Sequence, residues 1–363
     1  MTQQEQARGQ CTSPTARDGA AEVVMARRLT SDLRVALPRV YLVDIGVSAA
    51  GGWTAFGVAV WPAWPLGVRF AAAAFAVLLL YRALLFIHEL FHQPALRGVR
   101  RMWHTVAGVP LLLPLLLYLP VHQRHHSADS YGTIADGEYE QFDGRCVRMA
   151  ARLLLLNAAL PFAMVVRFAV LGPLGWFVPV IRREVLPSLV HLSMRMRFRA
   201  APLRGAAATE AARIEIACAA WSWLLLAGLC TSAAPAVLAW AGLLVGIATL
   251  NTLRALCSTH LYVERAAGRN ALEQVDDSLN IAGGGALTWL LCPVGLRYHA
   301  LHHLAPYVPY HAMPEAHRRL MEWLPDDAHY RRASVANPWQ GWLRLFRATQ
   351  VRSLPRPSHV RAG

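Results

Sequence analysis

Residues 66–92 read LGVRFAAAAFAVLLLYRALLFIHELFH, an apolar run that ends in two histidines. The part from 66 to 87 is long enough to cross a bilayer, which requires about 20 apolar residues in a helix. His88 and His92 follow it four positions apart, so on a helix they share one face. This stretch predicts a membrane helix that ends in a pair of candidate metal ligands.

The composition supports a membrane protein. The chain of 363 residues is 55% hydrophobic and 16% charged, whereas soluble domains carry about 25% charged residues. All 36 basic residues are arginines, and the net charge is +14. Nucleic acid is excluded as a partner because the arginines alternate with long apolar runs and no nucleic-acid-binding motif occurs. The abundant Ala, Gly and Arg are typical of a GC-rich bacterial genome.

Three further segments are long and apolar enough to span a bilayer. The four predicted spans are residues 41–61, 66–87, 214–230 and 236–253. Short uncharged turns join them into two hairpins, and arginines crowd the other ends. By the positive-inside rule, both hairpin turns lie outside and both termini lie in the cytoplasm. We therefore predict an all-α integral membrane protein with four transmembrane helices, in a bacterial inner membrane.

Two other apolar stretches are not predicted to span the membrane: residues 105–121 are predicted to be re-entrant or to lie in the interface, and residues 149–190 to form an interfacial hairpin. Residues 105–121 contain three prolines and are short for a span, and residues 149–190 are interrupted by prolines and arginines. If residues 105–121 crossed the membrane once, His122 would lie on the opposite side from His88.

Eight of the 15 histidines form three clusters. The clusters are His88 and His92; His122, His125 and His126; and His299, His302 and His303. Each has the i, i+3 or i, i+4 spacing that places imidazoles on one helix face. Imidazole binds iron, zinc and copper, and eight ligands exceed one zinc site but suit two metal ions. His-Glu-Leu-Phe-His also fits the HExxH spacing of zinc proteases, with Glu89 as general base, which remains a minor alternative.

The order HxxxH, HxxHH and a distant HxxHH resembles the membrane fatty acid desaturase family. The third cluster continues into Pro306-x-x-Pro309-Tyr310, similar to the family's stretch at that place, and Asp136-Gly137-Glu138 resembles its acidic segment after the second cluster. The resemblance covers about residues 40–325. It implies two iron ions, molecular oxygen as co-substrate, a fatty acyl lipid substrate and a separate ferredoxin-like or rubredoxin-like electron donor.

The resemblance also extends the candidate site. His260 fits the place of a ninth ligand shortly after the last span. Candidates for orienting the imidazole N–H groups are Glu89, Asp129, Asp136, Glu138 and Asn280. We predict three parts: a flexible cytoplasmic leader, residues 1–40; a membrane domain with a histidine-rich cytoplasmic cap that holds the di-iron site, residues 41–325; and a cytoplasmic tail, residues 326–363.

Three functions are compatible with these residues. The leading one is oxygen-dependent desaturation of a fatty acyl chain linked to lipid, coenzyme A or a carrier. The alternative is a hydroxylase or ketolase that acts on a lipid or carotenoid with the same site. A remote alternative is a membrane metal-binding or transport protein, which predicts polar residues inside the spans. Few qualify, mostly near segment ends: Asp44, Arg69, Arg82, Glu215 and Asn251.

Overall fold

A computed structural model describes residues 14–139, 142, 145–187, 199, 201, 203–262 and 268–350. The first half contains α1 (Pro14–Leu29), α2 (Pro38–Val60), α3 (Leu66–His92), α4 (Arg97–Trp103), α5 (Leu115–His125), α6 (Cys146–Val166) and α7 (Gly172–Phe177). The second half contains α8 (Gly205–Leu229), α9 (Ala234–Ser258), α10 (Ala271–Asp277), β1 (Asn280–Ile281), α11 (Ala286–Leu291), α12 (His299–Leu304), α13 (Met313–Trp323), α14 (His329–Arg332), β2 (Ser334–Val335) and α15 (Pro338–Gln350). Single π-helical turns lie at His104–Gly108, Arg167–Leu171 and Ile181–Val185.

Five helical segments among the described residues are long and apolar enough to cross a membrane. Four of them are α2, α3, α8 and α9, which cover the four predicted spans except Trp61 and Cys230, each one residue past a helix end. The fifth is the continuous helical run Cys146–Phe177, where the sequence predicts an interfacial hairpin within residues 149–190. The mostly helical membrane architecture is confirmed, whereas the count of four spans is not.

The first hairpin is held by close helix packing and by one ion pair. Gly52 of α2 faces Leu80 of α3, and an added Cβ would lie only 2.6 Å from the Leu80 Cγ. The missing side chain therefore lets the two helices approach closely. At the end of the hairpin near the histidines, Arg82 donates to Asp44 at 2.5 Å between Nη2 and Oδ2. These contacts fix the helix that carries the first histidine cluster.

The third histidine cluster forms the short helix α12 at the centre of a cap. Helix α10 packs beside it and begins with a capping box, in which the Asn270 side chain accepts from the Glu273 N–H and Glu273 accepts from the Asn270 N–H. Strands β1 and β2 pair in parallel, with Asn280 opposite Ser334. Asn280 Oδ1 also accepts the Leu301 N–H at 3.1 Å, which holds α12 against β1.

The chain before α2 packs onto this cap, which differs from the flexible leader predicted for residues 1–40. The Glu22 carboxylate accepts the backbone N–H groups of His329 and Tyr330 at 3.0 and 2.9 Å. Ala26 is fully buried, and Arg319 forms an ion pair with Asp32. No local pattern predicts this docking, because the contacting residues lie about 300 positions apart in the chain. Residues 1–13 and 351–363 lie outside the described residues.

Candidate metal centre

The candidate metal centre consists of two adjoining groups of histidines. One group contains His88, His92, His122, His126 and His302; the other contains His125, His260, His299 and His303. Within each group one ring nitrogen of every histidine lies within 4.8 Å of all the others. The structure therefore brings together all three predicted clusters and His260, and separates them into sets of five and four.

Two of the clusters are divided between the groups. His125 and His126 are neighbours in the chain, and so are His302 and His303, yet the members of each pair belong to different groups. Adjacent residues on an α-helix point about 100° apart because 3.6 residues make one turn. His299 and His303, four apart, point to the same group. Each HxxHH cluster therefore supplies candidate ligands to both groups.

The facing nitrogens are close enough to share an ion. The Nε2–Nε2 distances are 2.8 Å for His92–His122, 3.0 Å for His126–His302, 3.1 Å for His260–His299, 3.1 Å for His299–His303 and 3.3 Å for His125–His303. Two imidazole nitrogens that each bind one metal at about 2 Å are separated by about 3 Å. The spacing fits metal ligation.

In the four-histidine group, partners on the outer nitrogens fix the tautomers of His125 and His303. His125 donates from Nδ1 to Asp136 at 2.9 Å, and His303 donates from Nδ1 to the Gln274 carbonyl oxygen at 3.1 Å. Gln274 is oriented because its amide nitrogen donates to the Arg269 carbonyl oxygen. A protonated Nδ1 leaves Nε2 with a free lone pair.

This arrangement suits a cation inside the group. The lone pairs on Nε2 of His125 and His303 face each other at 3.3 Å. Two facing lone pairs repel, and neither nitrogen is exposed to water since both side chains are buried. A proton would bridge one such pair, whereas a metal ion would be shared by all four nitrogens. The donor set, which consists only of imidazoles, suits iron, zinc or copper.

Comparison with known proteins agrees with this geometry. A family model described as fatty acid desaturase matches residues 59–335, which include every histidine of both groups. The chain belongs to the fatty acid desaturase family. It is also 35% identical over 345 residues to a ceramide hydroxylase of Caulobacter vibrioides (strain NA1000 / CB15N), covering 92% of this chain and 96% of that protein. The resemblance inferred from the sequence is confirmed.

In this member of the desaturase family, burial keeps the cap histidines neutral. Burial lowers the pKa of His299 and of His302 well below 6.5, and neighbouring imidazoles add to the effect. His125 differs: burial disfavours its charge, but the carboxylates of Asp136 and Glu138 outweigh burial and raise its pKa. Neutral imidazole is the form that binds a metal, and a carboxylate partner increases its basicity.

The imidazole nitrogens of the five-histidine group have fewer hydrogen-bond partners outside the group. His122 Nδ1 lies 2.7 Å from Glu138 Oε1 and 2.8 Å from the Tyr118 hydroxyl. His88 Nε2 is buried and has no hydrogen-bond partner among the described residues. A buried ring nitrogen without a partner is unfavourable unless it binds an ion.

The structure assigns different positions to the five predicted outer residues. Asp136 and Glu138 contact imidazoles, as the resemblance implies. Asp129 is exposed and makes no described contact with a histidine. Glu89 instead accepts the Tyr41 hydroxyl and the Tyr310 N–H, and Asn280 accepts the Leu301 N–H. Glu89 and Asn280 therefore hold backbone segments next to the histidines and do not contact the imidazoles in the described part of the chain.

Sequence reasoning missed three residues that contact the imidazoles. Gln274 holds His303, and the Tyr131 hydroxyl lies 2.9 Å from His260 Nδ1 and donates to Asp277. No sequence pattern predicts Gln274 or Tyr131, because each is far along the chain from the histidine that it contacts. Tyr118 does show one, since it precedes His122 by four positions on the same helix.

Proposed function

We propose that this protein oxidises an unactivated methylene group of a fatty acyl chain in a lipid, in a reaction that consumes molecular oxygen. The observation that carries this proposal is the pair of adjoining groups of five and four histidines at the ends of apolar helices. We propose that these nine residues are the ligands of two iron ions. Bound iron would supply the activation of oxygen, which no amino-acid side chain provides.

The residues around the histidines orient their imidazole rings for metal binding. Asp136, Gln274 and Glu138 hold outer ring nitrogens and thereby aim the inner ones. Such partners commonly change metal affinity or activity by about 10–100-fold when removed. The histidines of the four-membered group are all buried, so water is excluded from that side of the site.

The substrate proposal rests on where the site lies. His88 and His92 end α3, a helix that is apolar enough to sit in lipid. A lipid in the same bilayer can present its acyl chain to this end of the helix without leaving the membrane. We propose that a separate ferredoxin-like or rubredoxin-like protein supplies the electrons.

Desaturation and hydroxylation are two outcomes of one such site. The family supports desaturation of an acyl chain as the first outcome. The 35% identity over 92% of the chain to a ceramide hydroxylase supports the second, hydroxylation of a lipid with an amide-linked acyl chain. Both outcomes begin with the cleavage of a methylene C–H bond. Desaturation then removes a hydrogen from the neighbouring carbon, whereas hydroxylation adds one oxygen to the attacked carbon. The product distinguishes them.

The shared site also limits the membrane topology. The rings of His88, at the end of α3, and His299 lie 6.3 Å apart, and His299 contacts His260, just after α9. The chain therefore crosses the membrane an even number of times between α3 and His260. Three candidate spans lie between them, so at least one does not cross.

We propose that Cys146–Phe177 is the segment that does not cross, because it carries Arg148, Arg152 and Arg167. This leaves two hairpins, α2–α3 and α8–α9, with the site and both termini in the cytoplasm of a bacterium. Modification of single introduced cysteines by a membrane-impermeant reagent tests it. Labelling from outside at position 178, with none at position 62, would contradict the proposal.

The function is tested by lipid mass spectrometry of a bacterial host that expresses the chain and is supplied with ceramide. His303→Ala is the inactive variant, and His329→Ala is the control because His329 pairs with Asp276 away from the site. Loss of two hydrogens from an acyl chain, absent in His303→Ala, establishes desaturation. Gain of one oxygen with the same dependence establishes hydroxylation. Purified protein that lacks iron, with an unchanged lipid profile, contradicts the proposal.

A further inference from the structure

A cavity of about 430 Å³ lies on the far side of α5 from the histidines. Leu116 and Pro120 form its wall on α5, whereas Tyr118 and His122 of the same helix contact the metal centre. Residues two apart on a helix point about 200° apart, so these pairs occupy opposite faces. The cavity is therefore separated from the metal centre by the thickness of a helix.

The polar lining of this cavity is strongly basic. It consists of Arg167, Arg182, Arg183, Arg199 and Glu215, so four positive charges face one negative charge. Arg182 forms an ion pair with Glu215, and Arg167 Nη1 lies 3.7 Å from Glu215 Oε1. Arg199 also pairs with Glu184 beside the cavity, so two carboxylates stand against four arginines and do not neutralise them. The cavity therefore favours a ligand with negative charge.

Arg167 shows that the cavity is incomplete without such a ligand. Its side chain is 5% exposed, and its Nε and Nη1 have no hydrogen-bond partner in the described part of the chain. Buried guanidinium N–H groups without an acceptor are unfavourable. The guanidinium group has the geometry to bind two oxygens of a phosphate at once.

The rest of the lining and the adjoining surface are apolar. Leu186, Pro187 and Leu203 line the cavity beside the arginines. Phe177 and Val180, which precede the lining residue Arg182 by a few positions in the chain, are 82% and 64% exposed. A large exposed apolar surface beside a membrane helix is typical of contact with acyl chains. A ligand that satisfies both parts is amphiphilic, with an anionic head and an apolar tail.

We infer that this cavity binds the phosphate headgroup of an anionic membrane lipid, with Arg167 at its base and Arg182 and Arg183 at its side. The acyl chains of the lipid lie along the exposed apolar residues of α7 and the segment after it. This site is separate from the proposed iron site and does not depend on it. A lipid in this cavity would pack against Leu116 and Pro120, on the face of α5 opposite His122.

The test is thermal unfolding of the delipidated full chain in neutral maltoside micelles, titrated with phosphatidylglycerol, with phosphatidylcholine or with inorganic phosphate alone. We expect a saturable rise in Tm with phosphatidylglycerol only, since a ligand that binds the folded state stabilises it. The paired variant Arg182→Gln/Arg183→Gln should raise the half-saturating concentration about tenfold, because lost charge-assisted hydrogen bonds weaken binding by that order. Arg167→Gln should do the same.

The matched control is Arg27→Gln/Arg28→Gln, which removes the same charge from the exposed face of α1. If this pair weakens the effect as much as the cavity variants do, the effect is nonspecific and the site is wrong. An equal response to phosphatidylcholine also overturns the proposal. If inorganic phosphate alone reproduces the rise, the cavity binds free phosphate and not a lipid. Arg182 and Arg183 are exposed, so their variants test binding even if Arg167→Gln fails to fold.

Discussion

The Tyr310 backbone N–H donates to the Glu89 carboxylate at 3.0 Å, across 221 positions of the chain. The same carboxylate oxygen accepts the Tyr41 hydroxyl. Glu89 lies between the two histidines of the first cluster, and Tyr310 follows the third cluster. This residue therefore ties the first cluster to the third through the backbone, although it contacts no described imidazole.

Glu89→Ala is expected to lower both stability and iron content. The variant leaves two buried donors without an acceptor, and each such loss costs about 1–3 kcal/mol. Glu89→Gln keeps a carbonyl oxygen and should have a clearly smaller effect. The measurement is Tm in micelles together with iron per chain. Glu322→Ala, on an exposed pair with Arg318, is the control; an equal loss in Glu89→Gln would argue for a direct role in ligation.

Asp136→Asn is expected to weaken iron binding by about 10–100-fold. The carboxylate accepts His125 Nδ1 and the backbone N–H groups of Gly132 and Glu138, and an amide cannot accept all of them. Iron retention against a competing chelator measures the change. Asp129→Asn provides a matched control, since Asp129 is an exposed acidic residue of the same loop. Equal iron retention by both variants would show that Asp136 does not support metal binding through His125.

His260→Ala is expected to release about half of the iron, because it removes one of four ligands from one group and leaves the group of five intact. Elemental analysis of the purified variant gives the ratio of iron to protein. His329→Ala, at the surface, should keep the full amount. Full iron in His260→Ala would show that this histidine is not a ligand.

His317 is expected to make folding stability fall with acid. Burial, with a contribution from Arg297, lowers its pKa to about 4, and its Nδ1 lies 2.6 Å from the Tyr330 hydroxyl. Between pH 6.5 and 4 the unfolded chain binds a proton that the folded chain does not. Stability therefore rises with pH across this window, by at most about 3 kcal/mol from this group.

The variant His317→Gln isolates this contribution because glutamine keeps a hydrogen bond to Tyr330 and does not titrate. Unfolding midpoints of both proteins are compared from pH 7 to 4. The difference between them should grow in favour of the variant as the pH falls. Parallel curves would show that His317 binds its proton equally in the folded and unfolded chains, which contradicts the prediction.

Local spacing was enough to predict much of this protein. Long apolar runs identify α2, α3, α8 and α9 because lipid requires them over a fixed length. The i, i+3 and i, i+4 spacing of the histidines depends only on helix geometry, so the candidate ligands were found without tertiary information. The family also follows from the order of these clusters.

Only the tertiary structure shows how the candidate ligands divide into two groups. The sequence cannot tell that His125 and His126 serve different groups, because this depends on where α12 and the end of α9 pack around α5. It also could not give Gln274 as the partner of His303, or distinguish Asp136 from the exposed Asp129, since those contacts join segments far apart in the chain. Spacing along one helix determines which side chains lie on the same face. Packing between helices determines which residues of other segments those side chains contact.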